Sequence, residues 1–169
     1  MATKSIILPA AGLIPTGACY QTRPVDDLSL TNTLTGGFAV VAMPDPGGTG
    51  DHGVVGSVPI PADYVGTPVM RVVGILDGTP ANNLTFAQQS VVAADNGAFD
   101  AALGTQNTDQ NALSGYTDED VLVTSFAITN GPPVASNLWT FVLNIDDSEA
   151  SPFTGAFLLT HIVLEYADA

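Results

Sequence analysis

Apolar and polar residues alternate over several short stretches of the chain. The clearest is 138–145, where Trp139 and Phe141 fall on one side of an extended strand and Thr140 and Asn144 on the other. Seven more stretches carry β-branched or alternating apolar residues: 25–34, 38–43, 54–60, 69–76, 84–92, 121–128 and 157–166. The pattern predicts about eight strands, with no long helix and no repeat.

Glycine and proline separate these stretches. Residues 44–53 hold two prolines and four glycines and predict a loop, and 77–80 and 130–133 predict turns. Residues 93–113 are small and polar, which predicts a loop with one helical turn near 99–103. Short strands joined by long loops favour an all-β, two-sheet β-sandwich, and we expect an eight-stranded jelly roll.

The first 24 residues predict an extended N-terminal arm, because prolines and glycines interrupt them. Within this arm, 6–8 is apolar enough to add to a sheet as a strand. We expect the arm (1–24) to lie on the jelly-roll domain (25–169) or on a neighbouring subunit.

The segment 58–77 is the one around which the fold is predicted to form. Pro59 and Pro61 end one strand, and the next strand is apolar on both faces except for Arg71. Such a strand has both faces buried within a sandwich, or one face in the core and the other against another subunit. A buried arginine requires a charged partner, so Arg71 is predicted to form an ion pair within the subunit or across an interface.

The charge of the chain is strongly one-sided. Three basic residues stand against seventeen acidic ones, for a net charge of −14. Nucleic acid and anionic membrane surfaces are therefore excluded as partners, because both are bound through Lys and Arg. The N-terminus has too short an apolar run for a signal peptide, and no run reaches membrane-span length. We expect synthesis in the cytoplasm of a cell.

Isolated candidate residues favour structural interpretations. Cys19 is the single cysteine, which excludes an intramolecular disulfide and predicts a small buried residue. His52 and His161 have no local catalytic signature, and an ordinary strand histidine is favoured for His161. Trp139 lies on the apolar side of its strand, which favours core packing over a sugar platform.

Acidic residues cluster in two predicted loops. The candidate metal ligands are Asp118 and Asp120 in one loop and Asp146 and Asp147 in the other, since Ca²⁺ prefers carboxylate oxygens. Neither loop has EF-hand spacing, so solvated acidic loops are favoured and no cofactor is predicted. A glycosidase needs two carboxyl groups across a cleft, which leaves an enzyme as a third, weaker hypothesis.

The chain resembles a family through five stretches. They are P-A-D-Y-V-G-T-P-V-M-R-V-V-G at 61–74, the strand at 84–92, T-D-E-D-V-L-V-T-S-F-A-I at 117–128, L-W-T-F-V-L-N-I at 138–145 and F-L-L-T-H-I-V-L-E-Y at 157–166. In outline over 38–167 they resemble the small jelly-roll decoration or cement proteins encoded beside the major capsid protein of tailed, especially marine, bacteriophages. The last two stretches resemble the family's closing hairpin, with the acidic loop 146–149 between them. Ile145 departs from that pattern, which often has arginine there.

The resemblance implies a structural virion protein on the outer capsid surface, a homotrimer that binds between major capsid subunits and stabilises the head without catalysis. The alternative hypothesis is a carbohydrate- or receptor-binding jelly roll such as a head fibre, with Ca²⁺ as an optional ligand. Residues in the arm and in the strand at 69–76 are the predicted contacts with other subunits or the capsid: Ile6, Ile7, Leu8, Tyr64, Met70, Arg71 and Val72.

Overall fold

The computed structural model describes residues 2–22, 39–44, 52–78, 80, 82–95, 102–146 and 153–169. A single turn of 3₁₀-helix spans Ala10–Gly12. The described residues form eleven strands: β1 (Thr3–Pro9), β2 (Ile14–Thr16), β3 (Tyr20–Thr22), β4 (Val40–Pro44), β5 (His52–Pro59), β6 (Tyr64–Asp77), β7 (Asn83–Ala93), β8 (Asn107–Ala112), β9 (Val121–Ala127), β10 (Leu138–Asp146) and β11 (Ala156–Asp168).

Strands β4 to β11 form a jelly roll. In sheet A they lie in the order β4-β11-β6-β9, and in sheet B in the order β5-β10-β7-β8, with every pairing antiparallel. The chain crosses between the two sheets after nearly every strand, which is the jelly-roll arrangement. The predicted all-β, two-sheet sandwich with eight principal strands is confirmed.

Seven of the predicted strands correspond to β4–β7 and β9–β11. They could be predicted because the residues that face the core in these strands are mostly apolar. Strand β9 shows the alternation most simply: Leu122, Thr124 and Phe126 are buried, while the residues between them are exposed. The predicted strand at 25–34 and the helical turn near 99–103 lie wholly or largely outside the described residues.

The N-terminal segment lies on the body of the same chain as three strands. Strand β1 pairs with β11, β2 with β5 and β3 with β4. Between these strands Ala10, Leu13 and Cys19 enter the core. Of the two predicted locations for the arm, the jelly-roll domain and a neighbouring subunit, the structure shows the first. The prolines of the arm interrupt its strands but do not prevent them from forming.

Strand β8 was missed by the sequence prediction, which expects a loop over 93–113. Its sequence N-T-D-Q-N-A has low β-propensity and no apolar alternation. It pairs with β7 over six residues, and its inward Asn107 is almost completely buried. Asn107 donates to Gln88 Oε1 (2.7 Å) and accepts from the backbone N–H groups of Thr129 (3.0 Å) and Asn130 (2.8 Å). Polar pairing therefore forms a strand that a hydrophobic pattern cannot reveal.

The core fills the space between the two sheets with large side chains. Phe86 of sheet B and Phe157 of sheet A meet edge to face with ring centroids 5.1 Å apart. Trp139 is fully buried, as predicted, and donates from Nε1 to the Gly131 carbonyl (3.1 Å). Gly74 faces the Phe157 ring so closely that any side chain there would overlap it. Glycine in β6 is thus required by the phenyl ring opposite it.

Candidate functional site: an apolar face on sheet A

The outer face of sheet A carries exposed aliphatic side chains. Strand β9 contributes the exposed Val121 and Val123 and β1 the exposed Ile7, whereas Val73 and Ile75 of β6 are half-buried between them. Ile7 is 64% exposed, Val121 59% and Val123 45%. Strands β1 and β6 flank β11, and β9 lies beyond β6, so these five residues, here called the apolar face, lie on the same side of sheet A. Four of them, Ile7, Val73, Ile75 and Val121, line one groove. Contiguous apolar surface of this kind marks contact sites for other molecules.

A groove of about 650 Å³ lies in the apolar face. Its walls are almost wholly aliphatic, and among the described residues that line it the one ionisable side chain is that of His161. The lining residues are Ile7, Pro9, Ala11, Ala39, Val73, Gly74, Ile75, Val121, Thr160 and His161.

His161 and Thr160 are the polar side chains of the groove. Both sit at an irregularity in the pairing of β11 with β6, between Leu159 and His161. The Thr160 hydroxyl donates to the Val73 carbonyl (2.9 Å), which uses its one proton. Its 3.0 Å contact with His161 Nδ1 therefore has the imidazole N–H as donor. The two polar side chains of the groove are thus hydrogen-bonded to each other and to the backbone of β6.

Arg71 forms the predicted ion pair within the chain but is not buried. Its Nη1 lies 3.5 Å from Oε1 of Glu165 on the neighbouring strand β11, with the two side chains 48% and 34% exposed. An exposed pair of this length contributes roughly 0–1 kcal/mol to stability and is screened by salt. The pair leaves this part of sheet A close to neutral on a strongly acidic protein.

Two of the predicted contact residues are corrected by the structure. Met70 and Val72 point into the core and are fully buried within the single chain. They alternate with Arg71 and Val73, which point outward, so the opposite phase of β6 forms the surface. The sequence could not distinguish the two phases because both are apolar.

The other predicted contacts divide between core and surface. Tyr64 is buried against Tyr166 (centroids 5.5 Å apart) and donates to the Gly66 carbonyl (2.9 Å); burial raises the pKa of Tyr64 to about 12. Ile6 and Leu8 pack against the core, whereas Ile7 points outward into the apolar face.

Both chain ends are fixed beside each other by charge. Lys4 forms ion pairs with Asp63 and, at 3.5 Å, with Asp168. The hydrogen bond between Lys4 and Asp63 raises the pKa of the lysine and lowers the pKa of the carboxyl. The Ala2 amide also donates to Asp168 (2.7 Å).

The candidate metal ligands serve local turns where the structure describes them. Asp118 accepts from the Gly78 amide (2.8 Å), and Asp120 accepts from the amide (2.7 Å) and hydroxyl (3.0 Å) of Thr117. Asp146 ends β10, and Asp147 lies outside the described residues. Over the described ranges, no three His, Cys, Asp or Glu side chains come close enough together to hold a metal ion.

The two histidines lie apart in the fold. His52 begins β5 in sheet B, whereas His161 lies on the outer face of sheet A. Cys19 is buried and unpaired, and burial raises its pKa to about 12. In the parts of the chain that the structure covers, no helix is long and apolar enough to cross a membrane.

The outer face of sheet B is rich in hydroxyl and amide groups. Ser57 and Thr140 share a 2.7 Å hydrogen bond there, and Gln89 Nε2 donates to the Gly104 carbonyl (2.9 Å). The Thr85 hydroxyl is buried and has no hydrogen-bond partner among the described residues. None of the aromatic side chains whose burial the structure describes is exposed. Thr85 and Thr140 are buried, whereas Ser57 and Gln89 remain accessible, and no exposed aromatic ring accompanies them among the described residues.

Comparison with known proteins identifies the fold and no family. No protein-family model and no curated protein matches the sequence. Among solved structures, the CBM22-1 xylan-binding domain of Paenibacillus barcinonensis Xyn10C is similar with a TM-score of 0.50 and 13% identity, covering 97% of this chain and 94% of that one. The Agl-KA catalytic domain gives a TM-score of 0.52 and 10% identity, with 98% of this chain matching 28% of that one.

A family 11 carbohydrate-binding module from Clostridium thermocellum, solved with a mixed-linked tetrasaccharide, is similar at a TM-score of 0.47 and 14% identity over 97% of this chain and 96% of that one. The matches to the xylan-binding domain and to Agl-KA, with TM-scores of 0.50 and 0.52 at 13% and 10% identity, show a shared fold and nothing further. The fold alone does not define a ligand.

Proposed function

We propose that this protein is a non-catalytic binding module that attaches to another protein through the apolar face. The observation that carries the proposal is the exposed aliphatic surface around the groove. Its outward residues are Val and Ile, and the ionisable side chain in the groove lining is His161. A surface of this composition favours close packing against a complementary apolar surface over binding of a charged or sugar ligand.

The partner we propose is the major capsid protein of a tailed phage, with this protein as a decoration or cement protein on the outside of the head. The support is the sequence resemblance at 61–74, 117–128 and 157–166, together with an apolar attachment surface on an otherwise acidic protein. Binding to a capsid lattice presents many copies at once, so weak individual contacts suffice. A homotrimer, as the resemblance implies, would increase that effect.

The test is co-sedimentation of the purified protein with capsids built from the major capsid protein whose gene neighbours its own. The double variant Ile7→Asp/Val121→Asp places two charges on the apolar face and should abolish co-sedimentation. The matched control Val134→Asp places a charge on an exposed valine in a loop and should bind normally. Equal binding by both variants, with unchanged Trp139 fluorescence, would reject the apolar face as the attachment surface.

Carbohydrate binding is the second candidate, and the comparisons favour it over the capsid hypothesis. The fold is shared with a domain described as xylan-binding, whereas none of the three structures compared above is a virion protein. The hydroxyl- and amide-bearing outer face of sheet B is the surface that would bind a sugar by hydrogen bonds. The absence of an exposed ring among the described aromatic side chains weighs against tight binding, since sugars stack on aromatic rings.

Thermal unfolding with and without xylo-oligosaccharides or mixed-linked glucans, each with Ca²⁺ or EDTA, tests this candidate. A ligand at one hundred times its Kd stabilises the folded state by about 2.7 kcal/mol. A saturable rise in Tm that a substitution of the exposed Ser57, Ser57→Ala, removes would assign sugar binding to sheet B. If no glycan raises Tm, and capsid binding requires the apolar face, the carbohydrate-binding candidate is rejected.

A further inference from the structure

Strand β9 forms an open edge of sheet A. Among the described residues it pairs only with β6, and it is the last strand of its sheet. Its outward side chains Val121, Val123, Ser125 and Ala127 are all exposed, so no described part of the chain covers them. Val121 also lines the groove, which makes the open edge continuous with the apolar face.

The hydrogen-bond phase of β9 shows which backbone groups are free. Antiparallel pairs alternate between residues that exchange hydrogen bonds and residues that do not. The Leu76 amide donates to the Asp120 carbonyl and the Ile128 amide to the Pro68 carbonyl, both at 2.9 Å. By alternation, the even-numbered residues of β9 bond to β6. The N–H and C=O groups of Val121, Val123, Ser125 and Ala127 therefore point away from the sheet.

This edge lacks the features that usually prevent strand addition. Proteins protect open edges with lysine, proline or a bulge. Strand β9 has the sequence V-L-V-T-S-F-A, and its register with β6 is unbroken from Val121 to Ala127. The open edge of sheet B, strand β8, carries instead the charged Asp109 and two asparagines. Of these two edges, β9 is the one suited to accept a strand.

We propose that an extended segment of the partner protein adds to β9 as an antiparallel strand and continues sheet A. This inference rests on the proposed attachment to another protein and specifies the chemistry of the partner. The segment has alternating apolar residues, which extend the apolar face beside Val121 and Val123. Its backbone supplies the missing partners of the four free residues.

Charge specifies one end of the segment. Asp118, Glu119 and Asp120 immediately precede β9, and the chain carries a net charge of −14. In an antiparallel arrangement, the C-terminal end of the added strand lies beside these carboxylates. We therefore expect lysine or arginine at that end. The same net charge disfavours a second copy of this chain as the occupant, because two such copies repel each other.

Hydrogen exchange of the ¹⁵N-labelled full chain tests this inference, with the peptide acetyl-TVTVTVKK-amide as probe. The amides of Val121, Val123, Ser125 and Ala127 should exchange at least tenfold more slowly with saturating peptide. The amides of Leu122, Thr124 and Phe126, already bonded to β6, should change little. A peptide ending in EE should bind at least fivefold more weakly, and one N-methylated at alternate residues should give no protection.

Three results would overturn the inference. They are no slowing at millimolar peptide, equal slowing with the N-methylated peptide, or slowing without peptide that increases with protein concentration. The last result would assign the edge to a second copy of the chain. If strand addition fails while capsid binding still requires Ile7 and Val121, only this inference is rejected and the proposed function remains.

A pair of variants at one position gives an independent measurement. Val123→Pro removes an edge N–H without removing a bond to β6, whereas Val123→Thr keeps the donor and nearly the same shape. Peptide affinity should fall at least tenfold in the first variant and stay within twofold in the second. Equal affinities in two folded variants would contradict the inference.

Discussion

Replacement of Asn107 by alanine should cost more stability than its small size suggests. The side chain is 5% exposed and connects three elements. Its amide donates to Gln88 Oε1 (2.7 Å) and to the Asn130 carbonyl (2.9 Å). Its oxygen accepts from the Thr129 amide (3.0 Å), the Thr129 hydroxyl (3.2 Å) and the Asn130 amide (2.8 Å). Alanine would remove all of these contacts together.

The loss of unfolding free energy depends on whether each former hydrogen-bond partner can bond to water instead. Gln88 is completely buried and its Nε2 already has no partner, so losing the Oε1 bond costs about 1–3 kcal/mol. Thr129 and Asn130 are exposed residues whose amides water can reach, so each lost bond costs about 0.5–1.5 kcal/mol. The sum is about 4 kcal/mol. For a chain of this size, that lowers Tm by roughly 8–16 °C.

The assay is urea unfolding followed by the fluorescence of Trp139, the single tryptophan. The control is Asn111→Ala on the same strand. Asn111 is half-buried, and its bonds to Asp109 (2.9 Å) and the Leu84 carbonyl (3.4 Å) leave partners near the surface, so it should lose about 1 kcal/mol. If the two variants unfold at the same urea concentration, the Asn107 network does not hold β8 in place.

Three further changes test other parts of the structure. Gly74→Ala would overlap the Phe157 ring and should destabilise by about 1–3 kcal/mol in the same assay; an unchanged midpoint would show that the ring moves freely. Because burial raises the pKa of Cys19 from 9.0 to about 12, the unfolded chain loses its thiol proton first, so stability should fall as pH rises above 9, and Cys19→Ala should lessen that slope. The pKa of Asp63 is lowered by Lys4, so its stabilising effect is present above pH 3.8 and lost as pH falls through the folded-state pKa. Asp63→Asn should then lower Tm slightly at pH 7 and not at pH 2, and a difference that persists at pH 2 would contradict the ion pair as its cause.

The sandwich was predictable because most of its strands bury one face. Where one side of a strand packs in the core, the sequence alternates, and the strand at 121–127 can be found from that pattern alone. Strand β8 could not be found in this way, because Asn107 is held by hydrogen bonds to distant residues. The pairing of β1 with β11 also joins residues far apart in the sequence. The apolar run 6–8 predicted that this segment could add to a sheet, but not which strand it would join.

On strand β6 the sequence prediction named residues that the structure places in the core. Strand β6 is apolar on both faces, and a shift of one residue exchanges the core face for the surface face. Met70 and Val72 were therefore named where Val73 and Ile75 form the surface. Arg71, the one charged residue of the apolar run 69–76, lies on the outward face, but it did not settle the phase, because an arginine can also be buried beside a charged partner. The open edge of β9 depends on sheet order, which the sequence does not specify.

Strand β11 lies in the middle of sheet A and follows its sheet partners in chain order. It pairs with β1, β4 and β6, so three strands synthesised earlier depend on the same 13-residue segment. A nascent chain therefore cannot complete sheet A before β11 has left the ribosome, and until then its apolar strands can pair wrongly. The polar side chains of the groove are also added at that late step, because Thr160 and His161 belong to β11. A chain terminated before β11 would lack both of these side chains and the central strand that joins β1, β4 and β6.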